Sequence, residues 1–139
     1  LAAPTVTETP PVRHRKGSEN LLVIEDQDSV RALIVQAFKQ DGYQVIEAAN
    51  GEEALGVAAS LSEPIQALVT DVIMPQMSGL VVAERLRHIW PGTKVLFMSG
   101  YVDLTEPAFL DEPGTAFIQK PFLPAELSRH LRDLLDRSI

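Results

Sequence analysis

The chain has 139 residues, 45% of them hydrophobic and 22% charged, enough to bury one sizeable core and too few for two ordinary domains. A formal charge of -7 argues against direct nucleic-acid binding, which needs clustered Lys and Arg. The absence of cysteine excludes disulfides, thiolate metal sites and cysteine nucleophiles. No apolar run reaches the length of a membrane span, and the N-terminus shows no signal-peptide pattern, so a cytoplasmic protein without membrane contact is expected.

Residues 1–19 hold Pro4, Pro10 and Pro11, a basic knot at Arg13, Arg15 and Lys16, and no apolar periodicity. This predicts a flexible linker or tail, with the folded domain over residues 20–139. The chain opens on Leu1 and not on Met, which predicts a piece of a longer protein. From Asn20 short apolar runs alternate with amphipathic stretches, the pattern of strand and helix units around a parallel sheet.

The first strand is expected at Leu21 to Ile24, followed by a helix with Val30, Leu33, Ile34, Ala37 and Phe38 inward and stopped by Gly42. A second strand is expected at Tyr43 to Glu47. Asn50, with Glu53 three residues on, makes an N-cap for a helix carrying Ala54, Leu55, Ala58 and Leu61. Ala67 to Thr70 form the third strand. The next helix turns Val82, Leu86 and Ile89 inward and ends at Pro91 and Gly92. Lys94 to Met98 and Ala116 to Gln119 are the fourth and fifth strands. Between them Pro107 limits a helix over 101–113 to a short or frayed one. The last helix runs from Pro124 to about Ser138 with Leu127, Leu131, Leu134 and Leu135 inward. Five such units predict a doubly wound α/β sandwich, flavodoxin-like, with strand order 2-1-3-4-5.

In such a sheet, ligands bind beyond the carboxyl ends of the strands at the switch point between strands one and three. The residues expected there are Glu25 and Asp26, Asp71, Ser99 and Lys120. Three crowded carboxylates repel one another and should raise at least one pKa. A hard divalent cation resolves the crowding, and Mg²⁺ suits a small set of oxygen ligands. Asp26 and Asp71 would ligate it directly, the Ile73 carbonyl would add a third protein oxygen, and Glu25 would act mostly through water. An aspartate nucleophile attacking a phosphoryl donor also needs the charge on the equatorial oxygens neutralised. Lys120 and Ser99 stand at the strand ends where they can do so.

The segments IEDQD, VTDVIMPQMSG, LFMSGY and IQKPF together resemble the receiver domains of response regulators in two-component signalling, over Asn20 to about Ser138. The resemblance implies that Asp71 is the phosphoacceptor, with Glu25 and Asp26 as the acid pair, Ser99 as the hydroxyl residue and Lys120 before Pro121 as the lysine. It also implies Mg²⁺-dependent self-phosphorylation from a phosphohistidine, a rearrangement of strands four and five, and later hydrolysis. Two positions depart from the common pattern: Glu25 stands where Asp is frequent, and the switch residue Phe117 where Tyr is frequent. Phe117 lacks a hydroxyl, so its switching would work by packing. The IQKPF ending and the MSGY loop are most similar to receivers attached to hybrid histidine kinases. The expected partner is therefore a histidine kinase or histidine phosphotransfer domain upstream in the same parent chain.

Simpler readings apply to other residues. Met74 and Met77 are expected as loop packing, Trp90 as local packing, and His14, His88 and His130 as solvated side chains. Three rival functions can be weighed against the residues. An aspartate-nucleophile phosphohydrolase needs an acid two residues after the nucleophile, where this chain has Ile73. An FMN-binding protein needs a phosphate-cradling first loop, and EDQDSV would repel a phosphate. The alternative is a receiver-like interaction module that is not phosphorylated, and the joint presence of Asp26, Asp71, Ser99 and Lys120 speaks against it.

Overall fold

A computed structural model describes residues 17–100 and 113–137. Residues 1–16, most of the expected linker, lie outside the described residues, and so do 138–139 and 101–112, where the short helix with Pro107 is expected. Five parallel strands, β1 (Asn20–Ile24), β2 (Gln44–Ala48), β3 (Ala67–Asp71), β4 (Lys94–Ser99) and β5 (Thr115–Gln119), lie in the order β2-β1-β3-β4-β5. The described helices are α1 (Asp28–Gln40), α2 (Gly51–Ala59), α3 (Gly79–Ile89) and α4 (Pro124–Asp136). This is the doubly wound, flavodoxin-like order that the sequence predicts. No helix among the described residues is long and apolar enough to cross a membrane.

The central strands are buried along nearly their whole length, with only Asn20 and Lys94 at their amino ends half-buried, because helices cover both faces of the sheet, as in all-parallel sheets generally. Alternate side chains then serve opposite layers. Leu21, Val23, Val69, Leu96, Met98 and Ile118 pack with Ile34, Val35 and Phe38 of α1 and Leu127, Leu131 and Leu134 of α4. Leu22, Ile24, Leu68, Val95 and Phe97 pack on the other face with Ala54 and Ala58 of α2 and Val82 and Leu86 of α3. Strong caps set two helix starts. Asn50 Oδ1 accepts from Glu53 N at 2.8 Å, the N-cap expected from the sequence, while Glu53 Oε1 accepts from Ala49 N, one residue before the cap, at 2.8 Å. Glu126 Oε1 accepts from Leu123 N at 2.9 Å ahead of Pro124, the first residue of α4.

Several expected core positions differ. Leu33 is 59% exposed, and Val35 is buried in its place. The sheet meets α1 along Ile34, Val35 and Phe38, so Leu33 falls one step off that line and faces the groove between α1 and α4. Ile89 is also exposed, since α3 ends there and the following Trp90 turns in, its indole N–H donating to the Ala58 carbonyl at 3.3 Å. Leu61 lies beyond the end of α2 yet packs on the same core. Met74, Met77 and Trp90 are packing residues as expected.

At the amino ends of the strands, Arg132 of α4 joins parts far apart in sequence. Its guanidinium pairs with Glu19 at 2.9 Å and Asp136 at 2.8 Å and donates to the Tyr43 hydroxyl at 3.2 Å. Burial alone would push the Glu19 carboxyl up, but the Arg132 hydrogen bonds and nearby backbone N–H groups outweigh it and hold it below its ordinary value of 4.5. A depressed folded-state pKa means that the stabilisation is complete above the ordinary value and fades as pH falls through the lowered one. Replacing Glu19 by Gln should therefore cost about 1 kcal/mol at pH 7, between an exposed pair and a hydrogen bond to a charged group. Urea titrations across a pH series should show the gap to wild type closing only below pH 4.5.

Candidate functional site

The switch point of the sheet lies between β1 and β3, whose chain connections leave in opposite directions. Register carries the ends of these strands to one level: Ile24 is paired with Thr70, Asp71 with Met98, and Ser99 with Gln119. The next residues are therefore neighbours although they lie up to 95 positions apart. Glu25, Asp26, Asp71, Ile73, Ser99 and Lys120 line one cleft of about 240 Å³. Six of the seven residues singled out from the sequence are thus brought together. Phe117 stands off the cleft, half-buried on the α2 and α3 face of β5, where it is paired in register with Phe97. Ile73 sits at the rim and is 61% exposed.

Lys120 is the centre of the arrangement. Its Nζ is 2.8 Å from Asp71 Oδ1 and 2.9 Å from Glu25 Oε1. The peptide from Lys120 to Pro121 is cis, and Lys120 N donates to the Ser99 carbonyl at 2.7 Å. This hydrogen bond ties the Lys120 backbone to the end of β4. Glu25 is 1% exposed and also accepts from Gln27 N at 3.1 Å. In addition to any role through water, its carboxylate anchors the lysine directly.

One ammonium faces two buried carboxylates. Burial pushes the Glu25 carboxyl up, yet Lys120 and the Gln27 N–H outweigh it and hold Glu25 below the ordinary carboxylate range. Burial also acts first on Asp71, and with the charge of Glu25 beside it outweighs the hydrogen bond from Lys120. The Asp71 carboxyl is pushed up to about 7. Burial disfavours the Lys120 charge, but Asp71 and Glu25 outweigh that and raise its pKa. One carboxyl is raised, as expected, but burial is the leading cause at Asp71 and the charge of Glu25 adds to it. Glu25, Asp26 and Asp71 each offer an oxygen within 4.8 Å of one another. This is an all-oxygen donor set, short of positive charge, and it fits a hard divalent cation.

Some features of the site are not evident from the motifs. Arg31 reaches back from α1 to the Glu25 carbonyl at 2.7 Å. After Asp71 the chain turns through Gln76, whose φ of 74° is left-handed, and Gly79 returns to donate to the Val72 carbonyl at 2.8 Å. A Cβ on Gly79 would lie 2.0 Å from the Asp71 carbonyl oxygen. A Ser-Gly pair opening a helix was the only signal in the sequence, and it reports the Ser78 N-cap (3.3 Å from Val81 N) without the close approach.

Residues 21–132 match the family described as response regulator receiver domain. The chain is 38% identical over 125 residues to sensor kinase CckA of Brucella abortus, an alignment covering 87% of this chain and 13% of the kinase. It is 33% identical over 119 residues to the response regulator receiver protein CpdR of the same organism, covering 85% of this chain and 92% of that protein. Among solved structures, the receiver domain from the hybrid histidine kinase CckA superposes with a TM-score of 0.72 at 32% identity, over 84% of this chain and 99% of that one. Chemotaxis protein CheY4 of Vibrio cholerae gives 0.75 at 25% identity, over 85% and 99%.

The approach of Gly79 to Asp71 can be tested directly. Gly79→Ala should destabilise the domain by about 1–3 kcal/mol, the usual cost of forcing extra volume against fixed backbone. It should also shift the amide resonances of Asp71 and Val72. Denaturant titration with amide shift mapping measures both, and wild-type values would show that the loop yields freely.

Proposed function

The chain belongs to the response regulator receiver domain family, and we propose that it takes a phosphoryl group from a histidine kinase phosphohistidine onto Asp71 in a Mg²⁺-dependent reaction. It then switches the face formed by β4 and β5. The observation that carries this reading is the contact of Lys120 with both Asp71 and Glu25 inside a cluster of three acids.

Asp26 and Asp71 would hold Mg²⁺ directly, with the Ile73 carbonyl as a further oxygen and Glu25 acting through water. When bound, the ion neutralises charge on the carboxylates and on the phosphoryl oxygens. The remaining work falls to the chain itself. An Asp71 oxygen attacks phosphorus as the bond to the donor imidazole nitrogen breaks, which leaves an acyl phosphate and a free histidine. The ammonium of Lys120 is already within 2.8 Å of Asp71 and meets one phosphoryl oxygen. The Ser99 hydroxyl, buried at the end of β4, donates to another.

Movement of Ser99 and Lys120 toward the phosphoryl group supplies the coupling to β4 and β5. Phe117, facing the α2 and α3 core beside Phe97, follows by repacking. Water later attacks phosphorus, the bond to the Asp71 oxygen breaks, and inorganic phosphate leaves with the carboxylate restored, so the domain catalyses its own phosphorylation and dephosphorylation. The likeness to receivers of hybrid kinases supports a kinase core or histidine phosphotransfer domain upstream in the same parent chain, in the cytoplasm. Residues 1–19 would be the tether to a domain over 20–139. A tether raises the local donor concentration, so the receiver needs little affinity of its own for the donor.

Phosphorylation by acetyl phosphate should appear on Asp71 by peptide mapping, should vanish with EDTA, and should be absent in Asp71→Asn. Modification of Asp71→Asn to the wild-type level, or indifference to EDTA, would remove the reading and favour an interaction module that is not phosphorylated.

Lys120→Ala should retain Mg²⁺ affinity, since lysine is not a ligand, and lose the response of β4 and β5. Amide shift mapping of the phosphorylated variant checks this. A complete wild-type shift pattern would reject the role assigned to Lys120.

A further inference from the structure

Arg31 does not line the acidic cleft, yet its guanidinium meets three acceptors from three parts of the fold. Nη1 donates to the Glu25 carbonyl at the end of β1 at 2.7 Å, Nη2 to Asp28 at the start of α1 at 2.7 Å, and Nε to Glu47 on β2 at 3.2 Å. The Arg31 side chain is only 16% exposed, whereas those of Asp28 and Glu47 are 88% and 48% exposed. Ion pairs to such exposed acids contribute little to stability. What they do is hold a planar fork in one orientation, which an ammonium cannot reproduce.

The third acceptor is different in kind. β1 pairs with β2 and β3 as far as Ile24, so the carbonyl of the buried Glu25 lies beyond the strand ladder. A buried carbonyl requires a donor, and Arg31 provides it. That carbonyl shares a planar peptide with the nitrogen of Asp26. On the other side of the turn, Gln27 N donates to the Glu25 carboxylate at 3.1 Å. Asp26 is exposed, and the backbone between these two anchors aims its carboxylate.

We propose that Arg31 is a positioning residue of the acidic cleft: by holding the Glu25 carbonyl it fixes the peptide from Glu25 to Asp26 and keeps the Asp26 carboxylate directed at Glu25 and Asp71. This rests on the reading of the three acids as a Mg²⁺ site. Position and charge predict opposite signs. If Arg31 acted only as a nearby positive charge it would repel a cation, and its removal would tighten binding. If it positions Asp26, removal weakens binding.

The test is calorimetric titration of Mg²⁺ alone into the full chain, with metal-free amide shifts recorded alongside. Arg31→Gln should bind about tenfold more weakly, the low end of what loss of a ligand-orienting partner costs. Arg31→Lys should not restore the affinity. Both variants should shift the Asp26 and Gln27 amides before any metal is added. Lys39→Gln removes a charge from the exposed last turn of the same helix and should bind as well as wild type or better. Val35→Ala loosens the buried face of α1 and should lower stability without changing affinity. Affinity in Arg31→Gln equal to wild type, or full rescue by Arg31→Lys, overturns the proposal. So does a loss in Val35→Ala that matches the loss in Arg31→Gln. If wild type itself binds no Mg²⁺, the metal reading fails and the positioning role goes with it.

Discussion

A single ammonium held between two buried carboxylates organises this molecule. Lys120 lies within hydrogen-bond distance of Asp71 and Glu25, and neither acid has water enough to be comfortable as an anion without it. The balance remains incomplete, because one positive charge serves two negative ones and Asp26 stands nearby. Lys120 and the Gln27 N–H hold the Glu25 carboxyl below its ordinary value against burial, while burial pushes the Asp71 carboxyl up. A site so short of positive charge fits a hard divalent cation.

The rest of the fold maintains that imbalance. Helices on both faces bury the central strands, and strand register fixes their ends at one level. The close approach of Gly79 to the Asp71 carbonyl ties the start of α3 to the end of β3. Any larger residue there would displace the backbone that carries the carboxylate. Stability and placement of the site are therefore coupled at Asp71 through rigid backbone packing, beside the side-chain contact from Lys120.

Two arginines mark the opposite ends of the sheet. Arg132 joins Glu19, Tyr43 and Asp136 at the amino ends of the strands, where the chain enters β1. Arg31 joins Glu25, Asp28 and Glu47 at the carboxyl ends, beside the acids. Each uses the fork of its guanidinium to bind groups from separate elements, a task for which lysine is poorly shaped. The first secures the fold and the second bears on the geometry of the cleft.

The sequence by itself determined the order of the elements, the sheet topology and the residues at the strand ends, because period-2 and period-3.6 patterns and capping residues are local signals. Asp71, Ser99 and Lys120 were legible because a parallel doubly wound sheet leaves one place for ligands. The tertiary structure decided what depends on distance between elements. Leu33 satisfies the helical pattern but lies exposed beside the groove, since the line of contact with the sheet runs through Val35. Phe117 follows β5 onto the face opposite α1, away from the cleft. The ties from Glu25 to Lys120, Arg31 to the Glu25 carbonyl and Gly79 to Asp71 span from 6 to 95 positions. No periodicity encodes them: strand register brings Lys120 to Glu25, while the folds of the β1–α1 and β3–α3 turns bring Arg31 to the Glu25 carbonyl and Gly79 to Asp71.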